Sequence, residues 1–295
     1  MTSKDKTSAL AALRSLGLPT LRSFAVTGKN VAEILAMQDD SVNWYVRASE
    51  QDRKVLGGKF LGTLRDLRSS IERLFIERPE SALTLTQFQD SVYSGALFCA
   101  GEIVFIESVA GALEGLLTRG LAPERTCFTK SGQILIAVPA RKQRVKRWHD
   151  GSLVTVGSPQ SFKPPEGLLP HLVSLVTKSP HGRLYEWLTN ASGDTFFLDA
   201  KATPQQFMGS ESEILKGITS GRIESLPSVT GQSSLGDLSS RMHEVVLLDD
   251  TTLLEREWAL EHAKLILARQ GGILSHLPLY AAERRVPFIV SKNFE

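Results

Sequence analysis

Between Ser81 and Val138 the chain spells five short β-type runs, SALTL, SGALF, EIVFIE, TCFT and QILIAV, with glycine-containing turns among them. Runs this short are the length of strands, and strands joined by tight turns pair with their neighbours. The pattern therefore predicts an antiparallel sheet. A sheet buries its apolar side chains only if another layer covers it, so the flanking sequence has to supply helices.

It does. Leu61–Glu77 carries Leu64, Leu67, Ile71, Leu74 and Phe75, a spacing near 3.6 residues that predicts a long amphipathic helix. Ser8–Leu18 reads as a helix stopped by Gly17 and Pro19, and Val31–Met37 and Leu168–Val176 as two more. Phe24–Thr27 and Trp44–Arg47 read as short strands, and Leu184–Leu198 as a hairpin turning at Asn190–Asp194. Thr203–Ser212 is polar, contains Pro204 and Gly209, and reads as an interdomain linker.

Beyond it the rhythm changes. Gly217–Arg222 reads as a turn, Glu244–Leu248 as a strand and Leu253–His262 as a helix. Ala263–Leu267 follows as a strand, Pro278–Arg284 as a helix and Val286–Val290 as a strand, with Ser225–Arg241 a mobile loop. That β-α-β-α-β order implies a compact α/β unit with parallel pairings. The expected fold class is α/β: an α+β domain over 1–205 and a small α/β domain over 213–295.

Composition excludes several functions. Thirty-four Lys and Arg against 32 Asp and Glu leave a net charge of +2, too little to draw the chain to nucleic acid or a membrane surface. The one dense basic run, Arg141–Arg147, lacks interleaved aromatics and reads as a solvated strand or loop. Cys99 and Cys127 form no CxxC pair, which argues against a structural zinc site or a disulfide scaffold. The N-terminus has no secretory apolar core, and no apolar run approaches the ~18 residues that span a bilayer. A cytoplasmic protein is expected.

One histidine of six stands in a framed motif. The segment QGGILSHLPLYAAERRVPFIV, Gln270 to Val290, resembles the swivelling phosphohistidine domain of the phosphoenolpyruvate-synthase, pyruvate-phosphate-dikinase and rifampin-phosphotransferase family. Gly271, Gly272, Ser275 and His276 match that family's phosphorylation site, Ala281–Arg284 its alanine-rich helix, and Pro287 the start of its strand. The resemblance implies that His276 accepts a phosphoryl group, with Ser275 and Gly272 assisting. A neutral imidazole nitrogen is a competent nucleophile near pH 7, and a helix N-terminus favours the phosphoryl group it would carry. Outside such a frame a lone histidine is better read as structural, and His149, His171, His181, His243 and His262 are so read.

The rest of the chain resembles the same family's ATP-grasp domain. Lys6 precedes Pro19 by thirteen residues in KTSALAALRSLGLP, as a nucleotide-binding lysine does in the family, although Ser3, Lys4 and Asp5 stand where the family has two glycines. Phe24–Thr27 resembles the following strand. Trp44–Ser49 resembles a "VRSS" strand whose arginine, here Arg47, reaches the ATP phosphates, and a guanidinium fork suits that role. Gln87 resembles the hinge glutamine beside adenine. Glu107 lies in a segment resembling the central strands and would face the nucleotide. In YEWLTNASGDTFFLDAK, Glu186 takes the place of the metal-binding glutamate, Asp199 that of a glutamine and Lys201 that of an arginine. The resemblance thus implies ATP and Mg²⁺, the metal held by Glu186 and Asp199 and the nucleotide by Lys6, Arg47, Gln87, Glu107 and Lys201.

The family's larger members add a domain for the acceptor, which this sequence does not contain. Their histidine domain also continues for a strand or two beyond the point where this chain ends, so the domain here is abbreviated or completed by a partner or following segment. The resemblance leaves two readings: a phosphotransferase whose acceptor is a small molecule or is held by a separate protein, and a non-catalytic ATP-binding partner of a larger enzyme.

Overall fold

The computed structural model describes residues 3–37, 41–48, 50–57, 60–140, 143–149, 152–160, 162–204, 207–225, 245–251 and 257–291. Helix α1 (Ser3–Ser15) leads into a first sheet of β1 (Ser23–Thr27), β2 (Trp44–Arg47), β3 (Leu61–Gly62) and β4 (Ala82–Gln87). These pair antiparallel in the order β1-β4-β2-β3. The short helices α2 (Val31–Leu35) and α3 (Glu50–Leu56) lie within this part, and α4 (Leu64–Glu77) packs on it.

The start of α4 is fixed by Thr63, whose hydroxyl accepts from Asp66 N–H while the Asp66 carboxylate accepts from Thr63 N–H. The helix therefore begins three residues later than apolar spacing suggests, and Leu61–Gly62 is left to pair as a strand. Its buried residues, Leu64, Leu67, Ile71, Leu74 and Phe75, meet Trp44, Val46, Leu83 and Leu85. Alternation along β2 then leaves Tyr45 and Arg47 half-buried on the opposite side.

The predicted antiparallel sheet is six-stranded. It comprises β5 (Tyr93–Ala100), β6 (Ile103–Ala110), β7 (Glu124–Thr129), β8 (Ile134–Val138), β11 (Arg183–Thr189) and β12 (Thr195–Ala202), in the order β12-β11-β5-β6-β7-β8. Between them a two-stranded ribbon, β9 (Gln143–His149) with β10 (Ser152–Gln160), absorbs the basic run as far as it is described. Of the two helices inserted here, α5 (Glu114–Leu117) follows β6 and α6 (Leu168–Val176) precedes β11.

Both faces of this sheet are covered, and strand parity decides what each face meets. Leu97, Cys99, Val104, Tyr185 and Trp187 pack against Leu10 and Leu13 of α1 and Leu169, Leu172 and Val176 of α6. Ala96, Phe98, Phe105 and Leu184 face the other way, in one cluster with Leu274, Leu277 and Phe288 from the C-terminal part. Counting two residues on from Phe105 and Leu184 places Glu107 and Glu186 on that second face. Their position on the C-terminal side follows from this period.

The C-terminal sheet has the order β13-β16-β15-β14, from β13 (Arg222–Ser225), β14 (Val245–Leu248), β15 (Leu265–Ala268) and β16 (Phe288–Ser291). β14, β15 and β16 run parallel, as predicted, and β13 closes the edge antiparallel to β16. Helices Glu257–His262 and His276–Glu283 lie between the parallel strands.

The polar segment read as a linker differs from expectation. Phe207 and Met208 are buried, with the Phe207 ring edge-on to Phe98 at 5.5 Å. Helix α7 (Glu211–Ser220) starts within the segment at a Ser210–Glu213 capping box. It ends at Gly221, whose φ of 71° makes a left-handed cap, so Gly217–Arg222 holds the last turn of a helix as well as a turn. The loop expected over Ser225–Arg241 lies, beyond Ser225, outside the described residues. No helix among the described residues is long and apolar enough to cross a membrane.

Candidate functional site

The β11–β12 hairpin sets Glu186 directly opposite Asp199, but the next pair is Trp187 with Phe197. Leu198 is therefore an extra residue, a β-bulge. Regular alternation would send Phe197 and Asp199 to the same face. The bulge instead lets Phe197 pack with Trp187 in the α1–α6 core while Asp199 joins Glu186 on the opposite face.

Both carboxylates are buried, Asp199 completely. Like charges in direct register repel, and Lys201 answers that repulsion. Its ammonium donates to Glu186 Oε1 and lies 3.5 Å from Asp199 Oδ2. Arg47, from the outward side of β2, donates through Nη1 to the carbonyl of the bulged Leu198 at 3.4 Å. Glu114, at the start of α5, accepts the Trp148 indole N–H at 3.2 Å. Burial pushes the Glu114 carboxyl above its ordinary range; the Trp148 hydrogen bond and the charge of Arg47 pull it back, while the charge of Glu186 adds to the rise. Arg47, Glu114 and Glu186 are thus within electrostatic reach of one another.

His276 arrives at this group from the C-terminal part. It is the first residue of helix His276–Glu283, and its Nε2 lies 3.7 Å from Glu186 Oε1. Its ring stacks on Tyr280, one turn on, with centroids 5.8 Å apart and planes 23° from parallel. The side chain is 23% exposed, so part of it remains open to solvent.

Three residues singled out from the sequence in this region have partners within the chain itself. Ser275, expected to donate to a phosphoryl group, is buried and gives its hydroxyl to Gly272 O at 2.7 Å. Gly272, expected to help the phosphoryl site, is a packing glycine: a Cβ there would lie 2.4 Å from Leu116 Cδ1 and 2.8 Å from Glu107 Oε2. Its neighbour Gly271 has φ 108°, and a Cβ would meet Thr251 Oγ1 at 2.2 Å. Glu107, expected to face the nucleotide, turns to the chain itself. It accepts from Arg125 Nε at 2.9 Å, from Ile273 N–H at 3.1 Å and from Leu274 N–H at 2.8 Å. The reason is register, since Arg125 on β7 stands directly across from Glu107.

Gln87 closes β4 opposite Trp44, and its N–H donates to Arg22 O at 2.8 Å. The next residue, Phe88, lines a cleft of about 470 Å³ with Asn43, Leu61, Asp66 and Trp148. Trp148 stands edge-on to both Tyr45 and Phe88 there. Lys6 lies in α1, and its side chain falls outside the described residues. His181 accepts the Gly101 N–H at 2.8 Å through Nδ1, the structural role expected of it.

Sequence reasoning passed over Arg125, Glu114, Trp148, Leu198 and Tyr280. Only Tyr280 carried a local signal, four residues after His276 on a predicted helix. Arg125 and Leu198 depend on cross-strand register, and Glu114 and Trp148 on a contact between α5 and β9.

Among the described residues no group of three or more His, Cys, Asp or Glu is arranged to hold a metal ion. Mg²⁺ bound with a substrate's phosphates needs only one or two protein carboxylates. Glu186 and Asp199, buried, adjacent and already calling for a cation, fit that requirement.

No family model and no curated protein matches the sequence. Among solved structures the chain is similar to D-alanyl-alanine synthetase A from Vibrio cholerae, with 12% identity over 68% of this chain and 55% of that one and a TM-score of 0.37. It is similar to the ATP-grasp ligase PsnB, complexed with minimal precursor, with 15% identity over 67% and 52% and a TM-score of 0.34. It is also similar to D-alanine–D-alanine ligase from Bacillus anthracis complexed with ATP, with 12% identity over 70% and 58% and a TM-score of 0.36. The chain spans a little over half the length of these proteins. TM-scores below 0.5 do not establish a common fold.

Proposed function

We propose that this chain is an ATP-dependent phosphotransferase in which an ATP-grasp-like part, described by the first two sheets, phosphorylates His276 on a mobile C-terminal part. One observation carries the reading: Nε2 of the motif histidine lies 3.7 Å from Glu186, within the acidic pair of the central sheet. Glu186 and Asp199 would hold Mg²⁺, which when bound screens the phosphate charges from an attacking nucleophile. Arg47 and Lys201 contribute cations to the same hairpin, one at the Leu198 carbonyl and one at Glu186.

In the transfer, the Nε2 lone pair of neutral His276 forms a bond to phosphorus as the phosphorus–oxygen bond to the leaving phosphate breaks. The ring proton stays on Nδ1. Tyr280 holds the ring plane. Catalysis on this reading is positioning and charge neutralisation. The phosphoryl group then passes to an acceptor, a small molecule or one held by a separate protein.

Incubation with Mg²⁺ and γ- or β-labelled ATP tests this. Label should appear on His276 in an acid-labile, base-stable form, and His276→Ala should abolish it without weakening ATP binding. Full labelling of His276→Ala at another residue would overturn the mechanism.

One feature favours the second reading, a non-catalytic ATP-binding partner. Lys201 already bridges both carboxylates, the task assigned to the metal. ATP that raises the melting temperature equally with and without Mg²⁺, and never labels the protein, would establish that alternative.

A further inference from the structure

Glu107 is a fully buried carboxylate to which the phosphotransfer chemistry gives no task. Its oxygens are used by two parts of the chain at once. Within the central sheet Oε1 accepts from Arg125 Nε. From the C-terminal part, Ile273 N–H donates to Oε1 and Leu274 N–H to Oε2, three and two residues before His276. Arg125 completes the attachment by donating through Nη2 to the carbonyl of Gly271 at 2.5 Å. Every polar contact in this group is charge-assisted, the class of hydrogen bond that counts most when buried. The missing Cβ of Gly272 is what lets the loop come this close, since that carbon would meet Glu107 Oε2 and Leu116.

We infer that Glu107 and Arg125 form a clasp that holds the His276 loop against the central sheet and so delivers the imidazole to Glu186. They are positioning residues: neither approaches the reacting atoms, and both act through the backbone of Gly271, Ile273 and Leu274. The inference rests on the reading of His276 as a phosphate carrier for its functional meaning, although the clasp itself is a property of the fold. A carrier has to leave its donor site. Undocking then exchanges two backbone N–H groups and one carbonyl for water while the Glu107–Arg125 pair stays intact within one sheet. The pair thus survives either position of the loop, as a reusable latch requires.

The test is hydrogen–deuterium exchange on the full chain, wild type against Glu107→Gln, together with single-turnover labelling by ATP. Glutamine keeps the shape but sets an NH₂ against one of the two backbone donors. The amides of Ile273 and Leu274 should exchange roughly tenfold faster or more, the scale on which one charge-assisted hydrogen bond counts. Those of Leu97 and Tyr185, on the far side of the sheet, should keep wild-type rates. The labelling rate of His276 should fall by a similar factor with the ATP concentration for half-maximal rate unchanged. Unaltered exchange at Ile273 and Leu274, or acceleration spread evenly through the sheet, would overturn the clasp. Should Glu107→Gln not fold, Gly272→Ala presses the loop away from Glu107 Oε2 and Leu116 while the Arg125 contact at Oε1 keeps both its charges, and the same comparison decides. Selective loss of protection in a protein that never labels would retain the clasp and dismiss the carrier reading. Normal labelling with unchanged exchange would do the reverse.

Discussion

Glu107 on β6 and Glu186 on β11 lie on the same face of the same sheet, both buried, yet their surroundings differ. Glu107 has its cation, Arg125, directly across the strand pair and spends its other bonds on backbone N–H groups. Glu186 has another carboxylate, Asp199, directly across from it, and the two share one ammonium from Lys201 with His276 close by. The first arrangement is balanced one charge to one and consists of groups that hold structure. The second gathers two acids around one lysine and one titratable ring, at the junction of Arg47, Glu114 and the motif histidine. The contrast separates a buried acid that joins two parts of the chain from a pair suited to bring in a metal and its anion.

The sharpest way to break this contrast is to remove the cation on the balanced side. Arg125→Ala leaves Glu107 buried without its ion-pair partner, a change that typically costs about 3–5 kcal/mol. Chemical denaturation should show a loss of that size. A loss under roughly 1 kcal/mol, the ordinary worth of an exposed pair, would mean that Glu107 is hydrated and not a structural acid.

On the other side the decisive change is Glu186→Gln combined with Asp199→Asn. It should leave the nucleotide-free protein folded but erase the rise in melting temperature given by ATP with Mg²⁺. At a hundredfold excess over Kd that linkage amounts to about 2.7 kcal/mol. Glu107→Gln should retain the Mg²⁺-dependent rise. Loss of it in Glu107→Gln, with retention in the double variant, would exchange the two roles.

Arg47 tests whether the bulge belongs to the site or only to the fold. If the guanidinium serves phosphates, Arg47→Ala should weaken ATP by about 1.5–3 kcal/mol in a calorimetric titration and leave adenosine nearly unaffected. Equal weakening of both would reduce Arg47 to a prop for the Leu198 carbonyl.

The same contrast marks what the sequence could and could not disclose. The acidic pair was legible because a hairpin with a polar turn at Asn190–Asp194 brings residues flanking that turn together whatever the rest of the chain does. The β-α-β-α-β order of the C-terminal part was legible for a similar reason, since apolar runs and their spacing are local. The partners of Glu107 were not legible because a strand's period gives its face but not its partner, and Arg125 opposes it only through the β6–β7 register. The Leu198 bulge shifts parity by one residue, which alternation of apolar letters cannot reveal. Helix α7 was missed although its Ser210–Glu213 capping box is present in the sequence, because the polar stretch around it outweighed the signal. Ser275 and Gly272 were assigned by motif to the phosphoryl group, whereas in the folded chain their surroundings are Gly272 O, Leu116 and Glu107.

The smallest expected effect concerns Glu114, which accepts from Trp148 and feels the charges of Arg47 and Glu186. Burial raises its carboxyl above the unfolded value of 4.5, with Glu186 adding to the rise and Arg47 opposing it. An acid with a raised folded pKa binds its proton more tightly in the folded chain. Its contribution to stability is therefore fully present below the unfolded value and is lost as pH rises through the folded one. Glu114→Gln keeps an acceptor for the Trp148 indole and cannot ionise. Melting temperatures measured from about pH 4 upward should thus differ least in acid, with the variant gaining on the wild type toward neutrality. In the Glu186→Gln background the gain should shrink, because one cause of the raised pKa is gone. A gain that grows toward acid would show that the hydrogen bonds and the charge of Arg47 outweigh burial at Glu114, and one independent of pH that they cancel it. The carboxylate would then belong with Glu107 among the charge-balanced structural acids.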